Sequence, residues 1–307
     1  MLLEPAVPER QGVLDPRQQS RNLPLKHGHV ESAGLRLHHV SWGEGPLVLV
    51  HHGFLDHCRS WDRIAQTLST AWQVVVVDAR GHGDSGWIGV GGTYYFPDYL
   101  LDLRTVIEHL GDPPVHLVGH SMGAGVVSYY AGTFPEQVKS VTMVDGIGPP
   151  DEPRTMAPWH LKSFVTTVQR ELARRTPKAM ASLEVAAERL RASDPLLPDG
   201  DLLELARLAT RDVEGGVAWK YDPLHRARAG VPFYLDSAAA LWGAIRCPVL
   251  HVRGGKSPFI LPDHEQRKGF FKDMREVRVP EAGHNVHVHA PDALAGHIGA
   301  FLPSLGP

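Results

Sequence analysis

Val115-His116-Leu117-Val118-Gly119-His120-Ser121-Met122-Gly123-Ala124-Gly125 is the stretch that decides the fold. An apolar strand pattern runs directly into Gly-x-Ser-x-Gly, and an apolar helical pattern carrying Ala124, Val126 and Val127 follows at once. A chain that passes from strand to helix at one residue forces that residue into a strained backbone conformation. The strain is tolerable only if the residues two positions away on either side are very small. Gly119 and Gly123 meet that need. The turn lifts the Ser121 hydroxyl out of the sheet, and the first amides of the following helix face any negative charge that develops there. Ser121 is the candidate nucleophile.

On either side of this turn, apolar runs alternate with helical stretches. Residues 46–51 (PLVLVH), 72–77 (WQVVVV), 115–118 and 138–144 (VKSVTMV) read as strands, and 61–68, 99–110 and 122–130 as helices. A hairpin precedes them, 26–30 with 35–42, turning at Ala33-Gly34. Continuous β-branched runs without polar alternation are expected of strands covered on both faces, as in a parallel sheet. Strand–helix alternation then predicts an α/β, doubly wound core. The alternation stops over 146–243, where helices are expected at 161–174, 177–191 and 201–210 and no comparable strand is seen. It resumes with strands at 248–253 and 276–279 and a closing helix at 291–301. The predicted organisation is an N-terminal arm (1–24), a core (25–145 and 244–307) and an inserted helical cap (146–243).

The chain has 307 residues, 31 Lys plus Arg and 34 Asp plus Glu, giving a formal charge of −3. Such a balance carries no basic field for nucleic acid or for an anionic membrane surface. Cys58 and Cys247 stand far apart without CxxC spacing, which favours reduced core thiols and a reducing compartment. The first twenty residues are broken by prolines and lack a basic segment followed by an apolar one, so no signal peptide is read. No run of 18 apolar residues suggests a membrane span. The expectation is a soluble cytoplasmic protein with a small-molecule substrate; oligomeric state is not readable.

A serine hydroxyl is a poor nucleophile without a base. In a strand–Ser–helix architecture the base follows the last strand. Val279-Pro280-Glu281-Ala282-Gly283-His284-Asn285-Val286-His287 occupies that place, and His284, beside Gly283, is the candidate, with His287 and His289 as rivals. An oxyanion needs two backbone donors. One is the amide of Met122. The other falls on Phe54 in His51-His52-Gly53-Phe54, where Gly53 allows close approach. His51, His52 and His57 could suggest a metal cluster, but no ligand spacing supports one, so neither metal nor cofactor is expected. Asp78 and Arg80 read as holding a turn.

Phe54 in HHGFLD, Asp78-Ala79-Arg80-Gly81-His82-Gly83-Asp84-Ser85, GHSMGAG and EAGHNVH together resemble the α/β-hydrolase superfamily, over about residues 40–301. Val144-Asp145-Gly146-Ile147-Gly148-Pro149-Pro150 and Trp219-Lys220-Tyr221-Asp222-Pro223-Leu224-His225 are similar to the serine hydrolase-like group. The resemblance implies an α/β-hydrolase fold and a triad completed by a carboxylate, which fixes the histidine tautomer and stabilises its imidazolium. Most members carry it after the first strand beyond the cap, and there this chain has Ser257 in Gly254-Gly255-Lys256-Ser257. Some relatives carry it after the strand preceding the cap, where Asp145 stands 24 residues beyond Ser121. Asp145 is the expected acid, with Asp263 as the other candidate. The implied activity is hydrolysis of a small to medium carboxylic ester through an acyl-enzyme on Ser121. Thioesters, lactones, amides, C–C bonds and perhydrolysis use the same constellation. The serine at 257 leaves open a binding protein of this fold with little turnover.

Overall fold

The computed structural model describes residues 24–302 apart from 112, 175 and 176. The predicted arm, residues 1–24, thus lies outside the described residues except for Pro24. The chain opens with β1 (Lys26–Ser32) and β2 (Leu35–Trp42), which turn at Ala33 and Gly34 with φ of 47° and 79°. The core follows as β3 (Leu47–His51), α1 (Asp62–Leu68), β4 (Gln73–Val77), α2 (Phe96–Leu110), β5 (Val115–His120), α3 (Met122–Thr133) and β6 (Val138–Val144). Next come α4 (Ala157–Arg174), α5 (Leu183–Ser193), α6 (Leu202–Ala209), β7 (Thr210–Val213), β8 (Gly216–Trp219) and α7 (Leu235–Ala244). The chain closes with β9 (Val249–Gly254), α8 (His264–Lys268), β10 (Met274–Val279), α9 (Val286–His289) and α10 (Pro291–Phe301).

The main sheet has the order β1-β2-β4-β3-β5-β6-β9-β10. β1 pairs antiparallel with β2 and β2 antiparallel with β4, and every later pairing is parallel. The valine runs explain this arrangement. Val48, Leu49, Val74, Val75, Val76, Leu117, Val118 and Val141 are wholly buried, because helices cover both faces. One face packs Leu49, Val75, Leu117 and Met143 against α2 and α3. The other packs Val48, Val50, Val76 and Val118 against α1 and α10. β3 lies between β4 and β5, so the strand order reverses at this point, and the crevice beyond its carboxyl end is where ligands bind in open α/β sheets. Among the described residues no helix is long and apolar enough to cross a membrane. Both cysteines are free thiols and buried.

The segment between β6 and β9 departs from the sequence expectation in three places. The helix expected over 177–191 begins only at Leu183, where the Ser182 hydroxyl accepts from the Val185 amide, and Met180 instead bridges to Val217. A two-stranded antiparallel hairpin, β7 with β8, stands where no strand was expected. It turns through Gly215 and Gly216, with φ of 82° and 132°. Its strands are only four residues long and pair outside the main sheet, so they carry little apolar signal. Finally α7, within the stretch read as cap, packs on α3 of the core. Trp242 is buried there and donates from Nε1 to Ser128 Oγ at 3.2 Å.

Candidate active site

Ser121 caps α3 with φ 51° and ψ −112°, the left-handed corner that the flanking glycines predict. A Cβ on Gly119 would run into the Gly123 carbonyl, and one on Gly123 into the carbonyls of His51 and His52. Both glycines are thus required by contact with backbone, which cannot move aside as a side chain can. The Ser121 amide donates to the Val144 carbonyl at 3.0 Å, fastening the corner to β6.

Ser121 Oγ donates to His284 Nε2 at 3.0 Å, and His284 Nδ1 donates to Asp145 Oδ2 at 2.7 Å. A carboxylate only accepts, so this bond fixes the proton on Nδ1 and leaves Nε2 free to take the serine proton. Asp145 comes directly after β6, with φ 45°, its side chain 3 % exposed against 23 % for His284. The Asp145 carboxylate is buried behind the His284 ring, which stays partly exposed.

Ser257, at the place where the resemblance leads one to expect a carboxylate, donates from Oγ to Asp145 Oδ2 at 2.5 Å. The Gly254 amide donates to Oδ1 at 2.8 Å. Both come from β9 and the loop after it. The position where the resemblance implies a carboxylate therefore supplies a hydrogen-bond donor to Asp145 on the neighbouring strand, a contact not foreseen from the sequence. Asp263 has other work: it accepts from Arg267 Nε at 2.9 Å, while Arg267 Nη1 donates to the carbonyls of Ile147 and Pro149.

The rival histidines are engaged elsewhere. His287 Nε2 lies 3.1 Å from Asp56 Oδ2, and its ring stacks on Trp61. His289 Nδ1 accepts from the Gly283 amide at 3.0 Å. His120 Nε2 donates to the His284 carbonyl at 3.0 Å and so steadies the loop that carries the base. Burial, aided by His287 and His284, holds the His120 ring well below the usual histidine range, so it stays neutral.

Phe54 follows β3, and its preceding peptide is oriented by His52. The His52 ring accepts the Ala79 amide on Nε2 at 3.0 Å, so its proton sits on Nδ1, which donates to the Gly53 carbonyl at 2.7 Å. In a planar trans peptide the N–H points opposite to the C=O. Binding the Gly53 carbonyl on one side therefore turns the Phe54 N–H the other way. A Cβ on Gly53 would stand 3.3 Å from the Ser121 Cβ, which places this peptide beside the nucleophile. Met122 is the first residue of α3, and its amide is among those a helix start leaves without an internal acceptor. His51 Nδ1 likewise donates to a backbone carbonyl, that of His52, at 3.0 Å.

The turn after β4 is structural. The Asp78 carboxylate accepts from the amides of Cys58 and Asp84 and from His38 Nδ1, at 2.7, 3.0 and 2.7 Å. Arg80 pairs with Asp102 through Nε and Nη2 at 2.6 and 2.7 Å.

Residues 46–291 match the family model described as alpha/beta hydrolase fold. A "Serine hydrolase-like protein" of Danio rerio is 28 % identical over 286 residues, covering 87 % of this chain and 88 % of that protein. The "3-hydroxybutyrate-oligomer hydrolase" of Cupriavidus necator is 27 % identical over 288 residues, covering 83 % of this chain and 89 % of that protein. Among solved structures, a "Thioesterase Domain From Curacin Biosynthetic Pathway" superposes with a TM-score of 0.78 at 29 % identity, covering 90 % of this chain and 99 % of that one.

Proposed function

The chain belongs to the α/β-hydrolase family, and from that premise we propose that it hydrolyses a carboxylic ester or related acyl substrate through an acyl-enzyme on Ser121. One observation carries the reading: Ser121, His284 and Asp145 form a continuous hydrogen-bonded chain of 3.0 and 2.7 Å at the carboxyl ends of three strands. His284 Nε2 takes the Ser121 proton as Oγ attacks the acyl carbon. The carbonyl oxygen, now negative, is held by the Phe54 and Met122 amides. His284, protonated and stabilised by Asp145, gives its proton to the departing alkoxide. Water, deprotonated by His284, then attacks the acyl-enzyme, and the proton returns to Ser121 as the acid leaves. The part of the segment between β6 and β9 that precedes α7 serves as a cap over this site. The thioesterase and oligomer hydrolase among the similar proteins act by name on acyl bonds, in keeping with this class. A binding protein without turnover was suggested by the serine at 257, and Asp145 bonded to His284 leaves that reading without its motive.

A fluorophosphonate probe modifies only an activated serine. Stoichiometric modification of Ser121, abolished in Ser121→Ala and strongly slowed in His284→Ala, is expected. Folded protein that the probe leaves unmodified would overturn the proposal.

A further inference from the structure

We infer that the acyl side of the site takes a short or single-ring, uncharged acyl group, and that acyl groups carrying a carboxylate are excluded. This rests on the acyl-hydrolase reading above. A cavity of about 120 Å³ lies against Phe54 and Met122, the two residues whose amides face the oxyanion. Phe96 and Tyr99 of α2 line it from the core, and Phe164 of α4 and Leu224 line it from the segment between β6 and β9, leaving it open on one side.

The side of the serine on which the cavity lies assigns the acyl group to it. The departing alcohol must sit where His284 can protonate it, and the His284 ring is flanked by Phe259, with ring centroids 4.4 Å apart. Neither His284 nor Phe259 lines the cavity. Ser121 does not line it either; the cavity borders Phe54 and Met122, the residues assigned to the oxyanion, and none assigned to the leaving group, so it is given to the substituent that stays on the acyl carbon.

The size follows from the volume. A cavity of about 150 Å³ lined by apolar side chains binds benzene. The one here, about 120 Å³ and open on one side, holds a branched alkyl group or one ring, and an eight-carbon chain overfills it and must run its end out through the open side into water. The charge follows from the lining, which contains no Lys, Arg, Asp or Glu. The polar groups there are committed or neutral. Tyr94 donates its hydroxyl to Asp222 Oδ2 at 2.8 Å. The His225 ring lies flat against Tyr94, with centroids 3.8 Å apart, and burial pushes it down to about 3. Among the described residues that line the cavity none is a cation, so a carboxylate entering it would lose its water and gain no charged partner.

The test varies the acyl group with p-nitrophenol as the constant leaving group, using acetate, valerate, benzoate, octanoate and hemisuccinate esters and the full chain. The expected order of kcat/KM has valerate or benzoate highest, octanoate at least tenfold lower, and hemisuccinate at least a hundredfold below valerate. Ala227→Phe, which fills the cavity rim, is expected to lower the benzoate-to-acetate ratio at least tenfold. Hemisuccinate turned over as well as valerate, octanoate as the best substrate, or a ratio unmoved by Ala227→Phe would each overturn the inference. The fluorophosphonate probe separates the two levels. Labelled Ser121 with the wrong acyl preference sinks the acyl-pocket assignment alone, whereas unlabelled folded protein sinks the hydrolase reading and this inference with it.

Discussion

Three donors converge on the Asp145 carboxylate: Gly254 N–H, Ser257 Oγ–H and His284 Nδ1–H. The burial of the side chain makes those bonds necessary, since a buried polar group without partners is costly. Asp145→Asn leaves the shape but offers His284 an amide, which admits the wrong tautomer. A loss of about 10⁴ in kcat with unchanged circular dichroism is expected, together with a lowered thermal midpoint, because the Asn NH2 must face one of these donors. Ser257→Ala removes one hydrogen bond to a charged group, worth about 1.5 kcal/mol, so kcat/KM should fall roughly tenfold. Asp145→Asn combined with Ser257→Asp should regain at least tenfold over Asp145→Asn alone, because residue 257 already reaches the oxygen that His284 uses; no recovery would show that position 257 cannot orient the base. Ser121 and His284 could be singled out as candidates because each has a local mark in the sequence, a glycine-framed corner and a loop after the last strand, and the structure brings them within 3.0 Å of each other. The donor role of Ser257 was not legible, since it joins residues 112 apart and no local pattern records a hydrogen bond across two strands.

At the scale of elements, legibility followed burial. Strands β3 to β6 were readable because both faces are covered, which forces unbroken apolar runs. The segment between β6 and β9 was not. α4 buries only His160 and Glu171 along its length, and the β7–β8 hairpin packs only part of its residues. Periodicity is a record of burial, and partial burial writes it faintly. α7 shows the consequence: its tertiary contacts, not its position in the chain, tie it to α3. Gly132 lets the two helices approach until a Cβ there would strike the Leu241 carbonyl, and Trp242 fills the interface. Trp242→Ala is therefore expected to cost about 3–5 kcal/mol of global stability, read as a shifted denaturant midpoint. A residue of a movable cap would leave that midpoint nearly unchanged. In the elbow, Gly123→Ala should lower both soluble yield and activity, since the added methyl meets two backbone carbonyls.

Across the whole molecule the unusual quantity is buried imidazole. Of the 19 histidines, His38, His39, His51, His52, His57, His82, His116, His120, His160, His225, His251, His264 and His287 are buried. Burial pushes His39 and His116 down to about 4 and His51 and His225 to about 3. In the unfolded chain these rings titrate near 6.5. Between pH 6.5 and about 4 the unfolded state thus binds protons that the native state refuses. Stability rises with pH wherever the unfolded state holds more protons, at about 1.4 kcal/mol per pH unit for each one. The contribution of these four rings is complete above pH 6.5 and is lost as the pH falls, down to about 4 for His39 and His116 and about 3 for His51 and His225. Glu276, held below the usual carboxylate range by His251 and His264, adds a loss that begins lower, near its unfolded value. A steep fall in the urea midpoint between pH 6.5 and 4.5 is the expected outcome, well before carboxylate protonation dominates. His116→Gln, which keeps a polar partner for Ser140, should flatten that slope by up to one proton. A midpoint constant from pH 7.5 to 4.5 would mean that the native state accommodates charged imidazoles in its interior, and the neutral-histidine account of this core would fail.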